Sequence, residues 1–398
     1  MTVLRFTAAE RRARIGVRHR LAVQARAGSV EEVAASVVGM HSTDAASVFV
    51  AAWMRLADRA SEAAALERAL YEERTLVRLL AMRRTMFVVE RATAPVVFAA
   101  ASRAVGARER AKLMKSLDGR RGAAAWLAAV EDTAVEALRS EGEMTATELA
   151  ATDPRLATEV VVGSGNWTQS VKLASRVLLV LSAEGRVVRA RPRGGWASTQ
   201  FRWAAMDAWL GEPLEVLDEA EAQRALARRW LRAYGPARPE DLKWWAGWTV
   251  AQTRRALAGD DVAECVLDDG AGGVVLADDA EPVPEPAEWI AFLPGLDSTP
   301  MGWKHRDFYL GAHAARVFDA NGNVAPTVWH DGRIVGAWTK RPDGEIAYTL
   351  LEDVGAEARA LLDAEAQALA PRLADTTLAP RGRGYAPAER ELVDEAAG

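Results

Sequence analysis

The stretch that decides the fold runs from Glu143 to Trp203 and reads EMTATELAATDPRLATEVVVGSGNWTQSVKLASRVLLVLSAEGRVVRARPRGGWASTQFRW. Thr145 stands three positions ahead of Glu148, the spacing at which a threonine hydroxyl and a glutamate close a capping box over a short helix, ATELAA. Asp153-Pro154 then breaks the chain. Asn166 is placed to cap a second helix from Trp167 to Gly185, in which Val171, Ala174, Leu178 and Leu181 follow helical spacing. RVVRARPR and WASTQFRWA follow as two alternating segments around Gly194-Gly195, a two-residue turn suited to a hairpin. Helix, turn, helix and hairpin is the order of a winged helix.

The same order recurs from about Leu217 to Asp279, and recurrence carries more weight than either copy alone. EAEAQRALARRWLRAYG is an amphipathic helix ended by Gly235-Pro236, Pro239 to Ala246 gives a short helix closed by Gly247, and Thr249 caps VAQTRRALAG. VAECVLDD and GGVVLADD then make a hairpin whose acidic character argues against DNA contact by this copy. An N-terminal copy is less regular. Thr7 and Glu10 open a helix, EEVAASVVGM supplies another, VFVAAWMR has helical spacing, and RTLVRLLAMRRTMFVVE carries β-branched residues suited to a hairpin. After Pro294 the character changes: Asn-Gly and two Asp-Gly turns separate short strands between Gly311 and Tyr348, and one helix, EARALLDAEAQALAPRLA, follows. The reading is α+β, with winged-helix modules at 1–115, 116–212 and 213–285 and a small antiparallel β domain with a terminal helix at 286–398.

At 398 residues the chain is too long for one core. Its single cysteine, Cys265, excludes disulfides and any metal site needing several thiolates, and points to a reducing cytoplasm. No long uncharged apolar run and no leader-like N-terminus is present, so neither membrane insertion nor secretion is expected. A net charge of −5 argues against nucleic acid only if charge is evenly spread. It is not: acids gather between Asp260 and Glu288 and after Glu352, whereas arginines cluster at Arg11, Arg12, Arg14, Arg18 and Arg20 and again at Arg186, Arg189, Arg191 and Arg193. A basic face with an acidic back fits this pattern, and so do ordinary solvated helix faces.

The repeated modules, the phrase YGPARPEDLKWWAGW, the stretch LVRLLAMRRTMFVV and the ending APTVWHDGRIVGAW together resemble the AlkZ-like (YcaQ-type) DNA glycosylases, from about Phe6 to Trp338. The resemblance implies three tandem winged-helix modules in a C-shaped arrangement followed by a C-terminal β-barrel, cradling duplex DNA. It also implies excision of N7-alkylpurines, bulky adducts or crosslinks, with a Gln-x-Gln or Gln-x-Asp tripeptide, usually followed by Asp-Pro, as the catalytic signature. Here the matching stretch is GMHSTDAASVFVAAWMR. His41 stands at the first glutamine position, Thr43 at the second, Asp44 matches the following aspartate, and Ala45 replaces the proline.

The chemistry of His41, Thr43 and Asp44 follows from the leaving group. An N7-alkylated guanine is already cationic, so it needs no protonation to depart. What remains is to stabilise an oxocarbenium-like sugar and to present a water to C1′. His41 is suited to take the water's proton, since an imidazole titrates near pH ~6.5. Thr43 would orient the water. Asp44 would either place negative charge beneath the sugar or fix the His41 tautomer; alternatively Thr43 and Asp44 simply cap the next helix. No lysine lies in the motif, so a monofunctional glycosylase is expected rather than a Schiff-base lyase.

Because a bulky adduct does not fit a snug base pocket, an open cleft is expected. Candidate phosphate contacts are Arg83, Arg84 and Thr85, the Arg186, Arg189, Arg191 and Arg193 segment, and Gln169, Ser170 and Lys172 early in the second module's recognition helix. Trp244, Trp245 and Trp248 read as core rather than as a base-stacking platform. His19, His305, His313 and His330 lack metal-ligand spacing, so neither metal nor cofactor is expected. The expected partner of this monomer is double-stranded DNA with alkylated purines. The competing reading is a winged-helix regulator or damage-recognition protein without chemistry.

Overall fold

The capping box read at Thr145 is formed: Thr145 Oγ1 accepts the Glu148 amide at 3.2 Å, Glu148 Oε2 accepts the Thr145 amide at 2.7 Å, and helix Ala146–Thr152 begins there. This comes from a computed structural model that describes residues 3–117, 119–163, 168–374, 376, 378 and 384–395. The chain divides into two units, one of Glu67–Leu226 and one assembled from Met1–Leu66 with Ala227–Gly398. It is a mixed α+β protein with small, mainly antiparallel sheets.

In the unit Glu67–Leu226, helices Ala123–Ser140, Ala146–Thr152 and Leu173–Ala183 bury Leu127, Val130, Leu149, Leu178 and Leu181 against Val187 and Trp203 of a hairpin. Each such leucine stabilises the fold by roughly 1.5–3 kcal/mol, so this interior is what holds the unit together. The hairpin strands are Val187–Pro192 and Phe201–Ala205, joined by residues 193–200 rather than by the two-residue turn expected at Gly194-Gly195. A second hairpin pairs Leu76–Leu80 with Met86–Glu90, as the β-branched sequence predicted.

A further expectation fails in this unit. The second helix starts at Leu173, not near Trp167, and Gln169–Lys172 is a strand paired antiparallel with Glu159–Val162. Alternation decides it: the Val160, Val161 and Val162 run offers a β-branched partner that a helix would leave unpaired. Asn166, the expected cap, lies outside the described residues.

Helix Glu219–Tyr234 runs across the division at Leu226, and after it helices Pro239–Ala246 and Val250–Leu257 and the hairpin Val262–Leu267 with Gly272–Leu276 of the other unit appear in the order expected. Gly247 closes the second of these helices at φ +73°, and Thr249 caps the third through the Gln252 amide at 3.2 Å. The sequence did not suggest that Leu4–Phe6 joins this hairpin as a parallel strand, Leu4 opposite Cys265. Beyond Pro294, Thr327–His330, Arg333–Lys340 and Ile346–Leu350 form an antiparallel meander, extended by Ile290–Leu293 on the other side of Thr327–His330. Its two outer strands are not paired with each other among the described residues. Asp331 and Gly332, at φ +44° and +78°, make the tight turn read from Asp-Gly.

The aromatic residues form the interior of this unit. Trp230, Tyr234, Trp245, Trp303 and Tyr309 neighbour one another, with His19 edge-on to Tyr234 at 4.8 Å. Trp245 and Trp248 are buried, in keeping with a core role, while Trp244 lies under the Arg306 guanidinium at 4.8 Å. Gly302 is required here, since a Cβ would sit 2.1 Å from the Tyr234 ring.

Candidate active site

His41 ends the two-residue strand Met40–His41, and helix Ala45–Arg55 starts four residues later. The motif is therefore a strand-to-helix junction, not a turn between two helices. His41 and Ser42 are buried, His41 with 8 % exposure, whereas Thr43 is exposed and Asp44 half-buried. Asp44 is the helix N-cap: Oδ1 accepts the Ala46 amide and Oδ2 the Ser47 hydroxyl, each at 3.2 Å. Its charge sits where the helix dipole favours an anion. Capping and an electrostatic role are thus compatible for one carboxylate, three residues after His41.

The backbone entering the motif is held under strain. Val38 adopts φ +61°, an outlier for a β-branched residue, and such strain costs about 1–3 kcal/mol. The surroundings offset it. Ser298 Oγ accepts the His41 amide at 3.0 Å and donates to the Gly39 carbonyl at 2.8 Å. The Tyr234 hydroxyl lies 3.0 Å from the Val37 carbonyl and 3.2 Å from that of Ser298.

Ser298 is fixed in turn by a buried ion pair. Arg55, last residue of the motif helix, meets Asp297 Oδ1 at 2.7 Å and Oδ2 at 3.0 Å, with both side chains 1 % exposed. Its Nη2 also reaches Thr299 Oγ1 at 2.8 Å, and His19 Nδ1 lies 2.9 Å from the same hydroxyl. Burial, aided by the Arg55 charge, presses the His19 imidazole down to about 3, so it stays neutral and takes no part in proton transfer at neutral pH. Asp297, Ser298 and Thr299 were missed in the sequence. The signal was a run of three small polar residues inside the otherwise apolar FLPGLDSTPMGW.

The arginines of the early cluster are largely buried, and those of the later one are mostly held by acids or aromatic rings. Arg11 stacks on Phe308 at 3.5 Å, Arg14 bonds the Asp279 and Glu281 carbonyls, and Arg18 pairs with Asp279 at 2.5 Å. Burial lowers the guanidinium of Arg11 to about 10, and that of Arg18 likewise. Arg189 lies over the Phe201 and Trp203 rings at 5.0 and 5.2 Å. Arg186 pairs with Asp132 at 2.7 Å, Arg191 with Glu67 and Glu72, and Arg193 with Glu148 at 3.4 Å. Arg83 and Arg84 occupy the tip of a hairpin at φ +54° and +63°, Arg84 pairing with Glu109 at 2.8 Å; Thr85, half-buried, closes the turn through its carbonyl to the Ala81 amide. Gln169, Ser170 and Lys172 are exposed on a strand rather than a recognition helix, with Ser170 bonded to Glu159 at 2.7 Å.

Glu288, His330 and Asp331 bring one donor atom each within 4.8 Å of one another, a grouping the sequence did not reveal. His330 Nε2 already meets Glu288 at 2.8 Å, the geometry of an ordinary surface pair. Among the described residues no helix is long and apolar enough to cross a membrane.

The family model described as DNA glycosylase AlkZ-like matches residues 34–372. No curated protein matches the chain. Among solved structures, Streptomyces sahachiroi DNA glycosylase AlkZ superposes with a TM-score of 0.65 at 19 % identity, covering 90 % of this chain and 95 % of that one. At that identity the likeness shows a shared fold.

Proposed function

Because the chain belongs to the AlkZ-like DNA glycosylase family, we propose that it hydrolyses the N-glycosidic bond of bulky N7-alkylguanine in duplex DNA. It is a DNA glycosylase, and its substrate class and working residues are the substance of this reading. The same attack at C1′ would also serve an interstrand crosslink. The service is base excision repair or self-resistance to a genotoxic natural product.

In this mechanism water attacks C1′ as the C1′–N9 bond breaks, and the bonding pair moves onto the purine and neutralises its cationic ring. His41 takes the proton released by the water, Thr43 orients that water, and Asp44 supplies negative charge to the oxocarbenium-like sugar. No metal or cofactor enters. The observation that supports these roles is the strand-to-helix junction: an exposed threonine lies between a buried histidine and an N-capping carboxylate, on a backbone braced by Ser298. Both Asp44 oxygens already accept helix-start donors, which favours the electrostatic role over direct proton transfer.

The finer architecture belongs to the same reading: three winged-helix copies in a C-shaped arrangement and a C-terminal barrel, acting as a monomer. Arg83, Arg84 and Thr85, the Arg186 to Arg193 strand and Gln169, Ser170 and Lys172 are its candidate DNA contacts. The arginines that now pair with acids would exchange a carboxylate for a phosphate, a modest step at exposed pairs worth about 0–1 kcal/mol.

The test is to incubate the purified protein with duplexes carrying N7-methylguanine or a bulky N7-guanine adduct and then cleave abasic sites. Release of the bulky adduct at least as fast as of N7-methylguanine supports the substrate assignment. Release of N7-methylguanine alone would overturn it.

A further inference from the structure

Glu109 lies on the inner side of helix Arg103–Ser116, its side chain 1 % exposed, and three cations from three elements converge on it. Arg84 Nε, from the hairpin tip, and Lys112 Nζ, from the same helix, reach Oε1 at 2.8 Å and 2.7 Å. Arg176 Nη2, from helix Leu173–Ala183, reaches Oε2 at 3.2 Å. Three positive charges against one carboxylate leave a surplus of two. Burial alone would raise the Glu109 carboxyl, but the bonds from Arg84 and Lys112 hold it down at about 2, so the anion persists at any physiological pH.

An ordinary surface network matches acids to bases and contributes little. Here the acid is the minority partner and is buried, while Arg84 and Lys112 reach water with 49 % and 63 % of their side chains exposed. The buried carboxylate's two oxygens need several donors, yet the positive charge gathered around them exceeds its own by two, and like charges held this close repel one another. The helix adds to the excess. RAVGARERAKLMKS carries five basic residues and one acid. Arg108 lies one turn before Lys112 and Lys115 one turn after it; both are exposed, and neither is paired with an acid among the described residues. Ala104, Ala107 and Ala111 are the other exposed positions of this stripe, so no bulky side chain holds a rod-like polyanion away.

We propose that Arg84, Arg108, Lys112 and Lys115 form a face that grips the phosphodiester backbone of duplex DNA, with Glu109 and Arg176 beneath it fixing the Arg84 and Lys112 side chains. Such a face positions DNA without reading sequence. The proposal rests on DNA being the substrate and not on His41, so it is tested by binding to undamaged duplex, where no base is released.

Each lost phosphate contact lowers the slope of log K against log salt by about 0.9. Anisotropy titrations of a labelled, undamaged duplex between about 50 and 200 mM salt should show the Lys112→Ser/Lys115→Ser variant about 1.8 below wild type in slope and at least about tenfold weaker. Lys115→Ser alone, at a side chain with no acidic partner among the described residues, should lose about 0.9, so misfolding of the double variant cannot account for the effect. Lys112→Arg/Lys115→Arg should keep the slope, and Arg254→Ser, an exposed charge of the other unit, should leave it unchanged. Slopes equal to wild type in both serine variants, an equal loss in Arg254→Ser, or tighter binding of duplex RNA than of DNA would overturn the proposal.

Discussion

The Ser298 hydroxyl accepts the His41 amide and donates to the Gly39 carbonyl, so a single side chain clamps the motif strand on both sides of Met40. The clamp joins residues 257 positions apart and lies within one unit of the chain. Removing it in Ser298→Ala leaves a buried donor and a buried acceptor unsatisfied, which costs about 1–3 kcal/mol each. The strained Val38 backbone then relaxes, and His41 moves. Single-turnover base release should fall by at least about tenfold, the factor that 1.4 kcal/mol represents, while affinity for the DNA product is kept. Equal loss of both would make Ser298 a general stabilising residue.

The Arg55–Asp297 pair is buried on both sides, so breaking it should be expensive. Asp297→Ala leaves a guanidinium without its counter-charge and should cost about 3–5 kcal/mol of unfolding free energy in a urea titration. A loss below about 1 kcal/mol would show that water or a neighbouring group replaces the carboxylate.

Asp44 separates capping from charge. Asp44→Asn keeps a good N-cap and removes the negative charge, whereas Asp44→Ala removes both, at a further cost of about 1 kcal/mol in stability. Base release should therefore drop in both variants, while the melting temperature drops only in the alanine variant. Full activity in the asparagine variant would reduce Asp44 to a cap.

Glu62 gives a pH prediction. Burial raises its carboxyl to about 7, against the pull of Arg372 at 3.0 Å. The folded state thus binds the proton more tightly than the unfolded chain, so the stability this group contributes is present below pH about 4.5 and is lost as pH rises through about 7. Urea midpoints should be lower at pH 8 than at pH 5, and Glu62→Gln should shrink that difference. An unchanged pH dependence in the variant would show that other groups carry it.

Much of the fold was legible because local rules and tertiary packing agree at Thr7, Thr145, Thr249 and the Asp-Gly turn at Asp331. The misread segment, Gln169–Lys172, has a pattern that suits either helix or strand, and its pairing with Glu159–Val162 decided the matter. The Leu4–Phe6 strand was invisible because its partner is some 260 residues away. At the candidate site, His41, Thr43 and Asp44 were found through family resemblance. Ser298 was not, because a serine's role depends on which backbone group it meets. The pairing of the basic clusters was not legible for the same reason: sequence counts charges but does not show which acids already hold them.

The most direct measurement is single-turnover release of a bulky N7-alkylguanine from duplex DNA by the wild-type chain and by His41→Ala, each first shown to bind the same duplex equally. Release by the wild type, falling by at least about a hundredfold in the variant as loss of a general base entails, is the expected result. Release that persists unchanged without the imidazole would contradict the assignment of His41 as the group that activates water.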